Sequence, residues 1–418
     1  MTRPLNLILI TSLLLTASAQ GTRAQGGEPS REPVLRIESG MHTAPIRRIS
    51  VDAANRFLVT ASTDKTVRVW ELATGRLLRV IRPPLGFGNE GMLYAVAISP
   101  DGKTIATSGW TGHEWGKRPS IYLFDRESGK LIRSLQGLPK VVTNLIYSKD
   151  GLYLAVAFGG NGRRISVNKS VEHPMLGVEE IGGNNGILIY NTTNYVQTAV
   201  DKGYDGDSYG ADFDAANRLV TSSYDGYIRL YQLGSNGSLN LIIKKDLVSY
   251  ANGPFNPITK KDPADGIRPY SVSFSPDSAK IAVGFDDSTQ VNILSGNNLS
   301  YLFSPDIRGI DNGNLFSVAW SADGKTLYAG GKATTNGYRS IRVWTGEGYG
   351  SYHDIPAASN TITHIIALSD GSIAYCASDP LFSLIDAKST RKLLALPTIA
   401  DYRDSLTSFL VSDDGEVL

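Results

Sequence analysis

Read as hydrophobic and polar positions, the chain repeats one short phrase. An alternating stretch such as Ile46-Arg47-Arg48-Ile49-Ser50-Val51 runs into a polar turn and then a small apolar run, Phe57-Leu58-Val59-Thr60-Ala61-Ser62. Thr66-Val67-Arg68-Val69-Trp70 and Leu77-Leu78-Arg79-Val80-Ile81 complete the phrase. Period-two alternation and short β-branched runs bounded by turn residues predict strands, and no helical period follows the first 33 residues.

The turn after the alternating stretch recurs eight times. It reads Asp52-Ala53-Ala54-Asn55, Ser99-Pro100-Asp101-Gly102, Ser148-Lys149-Asp150-Gly151, Asp214-Ala215-Ala216-Asn217, Ser275-Pro276-Asp277-Ser278, Ser321-Ala322-Asp323-Gly324, Ser369-Asp370-Gly371 and Ser412-Asp413-Asp414-Gly415. Most copies lie about 44–49 residues apart, and the two longer intervals hold insertions. Four short antiparallel strands per unit at that period describe the blades of a β-propeller. The expected fold is therefore all-β with seven blades over 34–403 and a partial eighth repeat over 404–418. The eighth begins at Leu406-Thr407-Ser408-Phe409-Leu410-Val411 and stops after its turn. A lone fourth-type strand, Val34-Leu35-Arg36-Ile37-Glu38, is expected to close the ring, because an unpaired sheet edge invites aggregation.

At these residues the chain resembles the WD40-repeat family. Gly40-Met41-His42 stands where that family has its Gly-His pair, and Ser62, Asp64 and Trp70 stand at the other positions of its buried structural network. The resemblance implies that Asp64 ties the tight turn between the second and third strands to His42. Elsewhere the pattern thins. Asp225 precedes Tyr231, and Asp287 precedes Ile293, by the same six residues, while the Trp-Asp dipeptide is reduced to Trp70-Glu71, Phe124-Asp125 and Trp344-Thr345. The whole also resembles the N-terminal propeller of exported bacterial WD-repeat proteins that carry a caspase-like or other effector domain.

The first residues sharpen the setting. Thr2 and Arg3 precede an apolar run from Leu5 to Ala17, and Ala17-Ser18-Ala19 offers a small-x-small cleavage pattern. Residues 1–19 read as a signal peptide and 20–33 as a flexible leader, giving an exported protein, periplasmic or secreted, with no membrane attachment beyond that peptide. Cys376 is the sole cysteine, which rules out an internal disulfide. Net charge is only +1, and the pairs Lys244-Lys245 and Lys260-Lys261 are too isolated to track a phosphate backbone, so no nucleic acid is expected.

Chain length points to one face. Strands alternate in direction, so the fourth-to-first and second-to-third connections share the top face. Nearly all insertions fall there: 82–92, 109–119, 159–186, 246–268, 304–314 and 331–339. Phe87, Trp110, His113, Trp115 and Tyr250 are the candidate anchors for a protein partner, aromatic residues being enriched at binding hot spots.

Candidate chemistry is thin. Gly206-Asp207-Ser208-Tyr209-Gly210 fits G-x-S-x-G but precedes a strand rather than a helix. Ser166-Val167-Asn168-Lys169 has no helix to align it. The run Asp201, Asp205, Asp207, Asp212, Asp214 does not match a calcium loop. Histidines 42, 113, 173, 353 and 364 show no metal-ligand spacing. Cys376 lies in an inner strand as an inert thiol. No catalytic residue, cofactor or metal is expected. The expected function is a non-catalytic scaffold that binds protein through its top loops. The alternatives are a sensory module of a larger effector, or a propeller hydrolase or lactonase using Asp212, Asp286 or Asp287.

Overall fold

The computed structural model describes residues 40–113, 118–159, 185–247, 267–310 and 313–395. The signal peptide expected over 1–19, the leader over 20–33, the strand expected at 34–38, the partial repeat expected over 404–418, Trp115, Tyr250 and the Ser166/Lys169 pair lie outside them. No helix among the described residues is long and apolar enough to cross a membrane.

Among the described residues seven antiparallel sheets carry the fold, six built from four consecutive strands and the sixth in chain order from five, its extra strand being Thr334–Thr335. Blade 1 is Ile46–Val51, Phe57–Ser62, Val67–Glu71 and Leu77–Ile81. The innermost strands of blades 2 to 7 are Met92–Ile98, Val141–Tyr147, Ser208–Phe213, Pro269–Phe274, Ser317–Trp320 and Ile362–Ala367. Each packs on its neighbours on both sides, and the seventh packs on the first, so the ring is closed. The closing strand expected at 34–38 lies outside the described residues. Blade 7 takes its outer strand from its own chain segment, Arg391–Ala395. The joint with blade 1 is made by packing, with Trp70 against Phe382 at 4.8 Å, and by Thr363 donating to the Ile46 carbonyl at 2.6 Å.

The core is seven wedges rather than one mass. Each of seven apolar clusters fills the gap between two adjacent blades. Second strands such as Tyr153–Gly159 are buried along their whole length, because a blade interior faces another sheet on both sides. Small apolar residues are what fit such a gap at interior packing density. Outer strands alternate with solvent instead, as in Gln197–Tyr204.

Two turn chemistries close the bottom face. In one, Asp52 accepts the Arg56 and Phe57 N–H groups and pairs with the Arg56 guanidinium at 2.8 Å. Asp214 and Arg218 repeat this at 2.6 Å. In the other, the serine hydroxyl bonds the aspartate two residues on, as in Ser99–Asp101 and Ser275–Asp277, both 2.6 Å. A left-handed residue completes each turn: Asn55 (φ 53°), Gly102 (φ 74°) or Ser278 (φ 60°). The insertion at 331–339 is itself an ordered hairpin. Thr334–Thr335 pairs with Tyr338–Arg339 around Asn336-Gly337, both at positive φ, the residue pair such a tight turn favours.

Candidate functional site

The buried network of blade 1 is structural, and its membership needs one correction. His42 lies 2.8 Å from Asp64 through Nδ1 and 2.6 Å from Thr60 Oγ1 through Nε2. Trp70 Nε1–H donates to the same Thr60 hydroxyl at 3.0 Å. Thr60, not Ser62, therefore stands between the histidine and the tryptophan. Ser62 instead ties the turn, donating to the Ala44 carbonyl and accepting the Asp64 N–H. A carboxylate only accepts, so His42 Nδ1 carries the proton, Nε2 accepts from Thr60, and the chain of donors runs Trp70, Thr60, His42, Asp64. Burial opposes ionisation of Asp64, but the His42 ring and bonds from His42, Thr66 and Thr43 outweigh it, setting the pKa at about 2.

Blade 4 rebuilds this network with different residues. Tyr204 bonds Thr221 at 2.7 Å and Tyr231 at 2.9 Å. Arg229, 1% exposed, stacks 3.8 Å over the Tyr204 ring and pairs with Asp225 at 2.5 Å. Tyr204, Thr221 and Tyr231 take the parts of His42, Thr60 and Trp70.

A surface capable of recognition lies at the top mouth of the central channel. In six blades the inner strand carries one extra residue near its top end, which leaves Arg47, Tyr94, Thr143, Tyr209, Tyr270 and Thr363 bulged from the ladder. A bulge re-aims a side chain that regular pleating would send elsewhere. On blades 4 to 6 the result is a shelf of rings. Tyr209 stacks on Tyr270 at 4.9 Å and meets Tyr224 at 4.5 Å, and Tyr270 meets Phe316 edge-on at 4.9 Å. The three tyrosines are half-buried and Phe316 is buried.

Charge fringes the shelf. The Tyr224 hydroxyl donates to Asp286 at 2.8 Å, and Lys332 lies 3.8 Å from the same carboxylate. Burial, then Asp286, pushes the Tyr224 hydroxyl above its ordinary range. Arg268 is exposed 5.8 Å from the Tyr224 ring centre, and Arg47 is exposed on blade 1. Arg47 acts electrostatically on both Tyr94 and Tyr270, so blades 1, 2 and 5 converge at this opening.

The candidate anchors from sequence fare differently. Phe87 is 90% exposed on the loop between blades 1 and 2. Trp110 and His113 stack on each other at 4.4 Å, and the buried Glu90 carboxylate accepts the Gly112 and His113 N–H groups at 2.5 and 3.0 Å. That pair packs its own loop, as short compact loops must. The Phe87 carbonyl accepts the N–H of that same Glu90 at 3.1 Å, so Phe87 and the Trp110–His113 loop are tied through one residue.

The candidate chemistry disperses. Asp286 and Asp287 sit on the top turn of blade 5, whereas Asp212 lines the lower channel, where its carboxylate accepts the Phe274 N–H at 2.8 Å. Burial raises the pKa of both Asp212 and Asp287. Ser208 is fully buried in a strand and donates to the Ser222 carbonyl. Asp201 accepts from Tyr231, while Asp214 holds a bottom turn, so the acidic run spans both faces. Among the described residues no group of three or more His, Cys, Asp and Glu is placed to hold a metal ion. Cys376 is fully buried beside Thr363, and burial pushes its thiol up to about 12.

Comparison with known proteins places these observations. Residues 35–71 match the family described as WD domain, G-beta repeat. The chain is 32% identical over 112 residues to the small ribosomal subunit protein RACK1 of Drosophila melanogaster, covering 27% of this chain and 31% of that protein. It is 50% identical over 85 residues to a ribosome biogenesis protein BOP1 homolog of Drosophila erecta, 20% of this chain and 10% of that one. A BOP1 homolog of Drosophila persimilis is 38% identical over 71 residues, covering 17% and 8%. The matched segments thus span less than a third of the length of these relatives. Seven antiparallel blades closed into a ring make the chain a seven-bladed β-propeller, with a WD40 repeat matched at residues 35–71.

Proposed function

We propose that the protein is a non-catalytic scaffold that captures a protein partner at the top mouth of its channel. Tyr209, Tyr224 and Tyr270 seat an apolar or aromatic side chain of that partner, and Phe87 adds a second contact at the rim. The observation that carries this reading is the ring shelf itself, four aromatic side chains in mutual contact, three of them half-exposed. Tyr is over-represented at hot spots because it offers a large, stiff apolar face with a polar tip. Asp286, Lys332, Arg268 and Arg47 would supply the polar rim that fixes orientation. The similar relatives support this only at the level of the shared repeat, since their names place them in the ribosome and in its biogenesis rather than in any setting specific to this chain. The setting proposed here is an exported one, on the strength of residues 1–19.

The test is affinity capture of tagged protein from the source organism, comparing wild type with Tyr224→Ala/Tyr270→Ala and with a bottom-face control, Lys103→Glu. The shelf variant should lose a specific partner that the control retains. Equal recovery with the shelf variant would defeat the reading.

A further inference from the structure

The lower half of the channel holds a cavity of about 580 Å³ that faces the bottom turns. Arg48 forms its roof. From blade 1 its Nη2–H reaches the Tyr209 carbonyl on blade 4 at 2.8 Å, separating the chamber from the aromatic mouth above. Asn144, Lys149, Asp212 and His364 line the same space.

The charges in this chamber do not balance. Asp52 pairs with Arg56, Asp214 with Arg218, and Asp212 lies 3.9 Å from Lys149. Arg48 is 5% exposed and has no carboxylate within ion-pair distance among the described residues. Of its five N–H donors, the bond to Tyr209 uses one. The fold treats Arg229 and Arg342 differently: each is 1% exposed and each is paired with an aspartate, at 2.5 and 2.7 Å. A buried guanidinium without a counter-charge is expensive and does not escape by losing its proton at neutral pH. Asn144 adds a second sign. It is 7% exposed, and its side chain makes no hydrogen bond among the described residues. His364 accepts the Ile49 N–H through Nδ1 at 3.4 Å, which leaves Nε2 protonated as a neutral donor.

We propose that this chamber binds a small molecule bearing a carboxylate or phosphate group, admitted from the bottom face. The guanidinium fork of Arg48 grips the anionic head, and Asn144 and His364 donate to it. The volume suits a metabolite-sized ligand, and the bidentate geometry of arginine suits both oxyanions. Lys149, 61% exposed at the lower opening, draws anions inward. This site is separate from the partner-binding shelf, so each stands or falls alone.

The full-length protein is titrated with sodium succinate and, separately, with inorganic phosphate at constant ionic strength, following the thermal unfolding midpoint and binding heat. The wild type should show a saturable rise with at least one, and which anion acts identifies the head group. Arg48→Met should abolish the response while keeping or raising the midpoint in anion-free buffer, since it removes an uncompensated buried charge. Asn144→Leu should weaken binding by about tenfold, the worth of one hydrogen bond to a charged group, and it decides the matter if Arg48→Met does not fold. Tyr338→Ala, at an exposed position on the blade 6 hairpin, should respond as wild type does. No saturable response to either anion, or a response unchanged in both channel variants, overturns the proposal.

Discussion

Replacing Thr60 with valine is the sharpest probe of how the first blade is held. Thr60 is fully buried, and its hydroxyl is the sole link between Trp70 Nε1–H and His42 Nε2, at 3.0 and 2.6 Å. Valine keeps the shape and the β-branch, so no cavity forms and the loss is confined to the oxygen. Two buried polar groups are then left without a partner, each costing about 1–3 kcal/mol, so a destabilisation of about 2–6 kcal/mol is expected. Ser62→Ala is the contrast. Ser62 is buried too, but the Ala44 carbonyl and Asp64 N–H that it serves belong to half-buried turn residues, so its loss should cost about 1 kcal/mol. Urea unfolding followed by both circular dichroism and tryptophan fluorescence measures the two variants. Asp64→Asn should couple to Thr60→Val by about 1 kcal/mol in a double-mutant cycle, because both act on the same imidazole. A Thr60→Val variant within about 0.5 kcal/mol of wild type, the usual range for an innocuous surface change, would refute the donor chain. So would a Ser62→Ala variant that is the more damaged of the two.

Other consequences follow from the same geometry. Ser278 holds φ 60° where equivalent turns have Gly102, Gly151 and Gly324, so Ser278→Gly should stabilise by about 0.5–1 kcal/mol in thermal or urea unfolding, and destabilisation would contradict the turn assignment. His364 is half-buried, and burial first, then Arg48, holds its pKa well below the ordinary value. The unfolded chain therefore takes up a proton below about pH 6.5 that the folded chain refuses, and stability should fall by about 1.4 kcal/mol per pH unit there. Burial raises the pKa of the Asp212 carboxyl in the same chamber, so the histidine is isolated by substitution: His364→Gln should flatten the profile between pH 6.5 and 5.5, and an unchanged slope would show that the histidine is not the cause. Cys376 should resist thiol reagents until the fold opens, because its thiol is buried and held up to about 12; rapid modification of the native protein would contradict its place in the blade 7–blade 1 wedge.

The blades were legible because two local signals agree at every repeat: alternation before the turn, and a turn whose Asp, Asn, Ser or Gly can bond its own backbone. The central network was read two residues off. Thr60 and Ser62 lie on the same face of one strand, so spacing does not tell which meets the histidine. That is decided by the pairing Ile46↔Ser62, which puts Ser62 at the strand end beside the turn. The aromatic shelf went unread for a different reason. Tyr209 and Tyr270 sit inside stretches that alternate like ordinary strands, and only the extra residue in each ladder turns them to the mouth. A recurring signal existed in the residue that follows the first core position of each inner strand, Arg47, Tyr94, Thr143, Tyr209, Tyr270 and Thr363. Loop aromatics drew attention instead, and two of them, Trp110 and His113, pack on each other. Arg48 was invisible as a site because an alternating strand gives no hint of what stands across a channel.

The claim at the centre of this account is that the top mouth is where a partner is held. Site-specific photo-crosslinking in the source organism tests it most directly, with the crosslinking side chain placed at Phe87 or Tyr224 on the top and at Lys103 or Asn194 on the bottom. The account predicts a discrete adduct from the top positions, lost from Phe87 when Tyr270 is replaced by alanine, and none from the bottom. Adducts from the bottom positions alone, or from both faces alike, would contradict it.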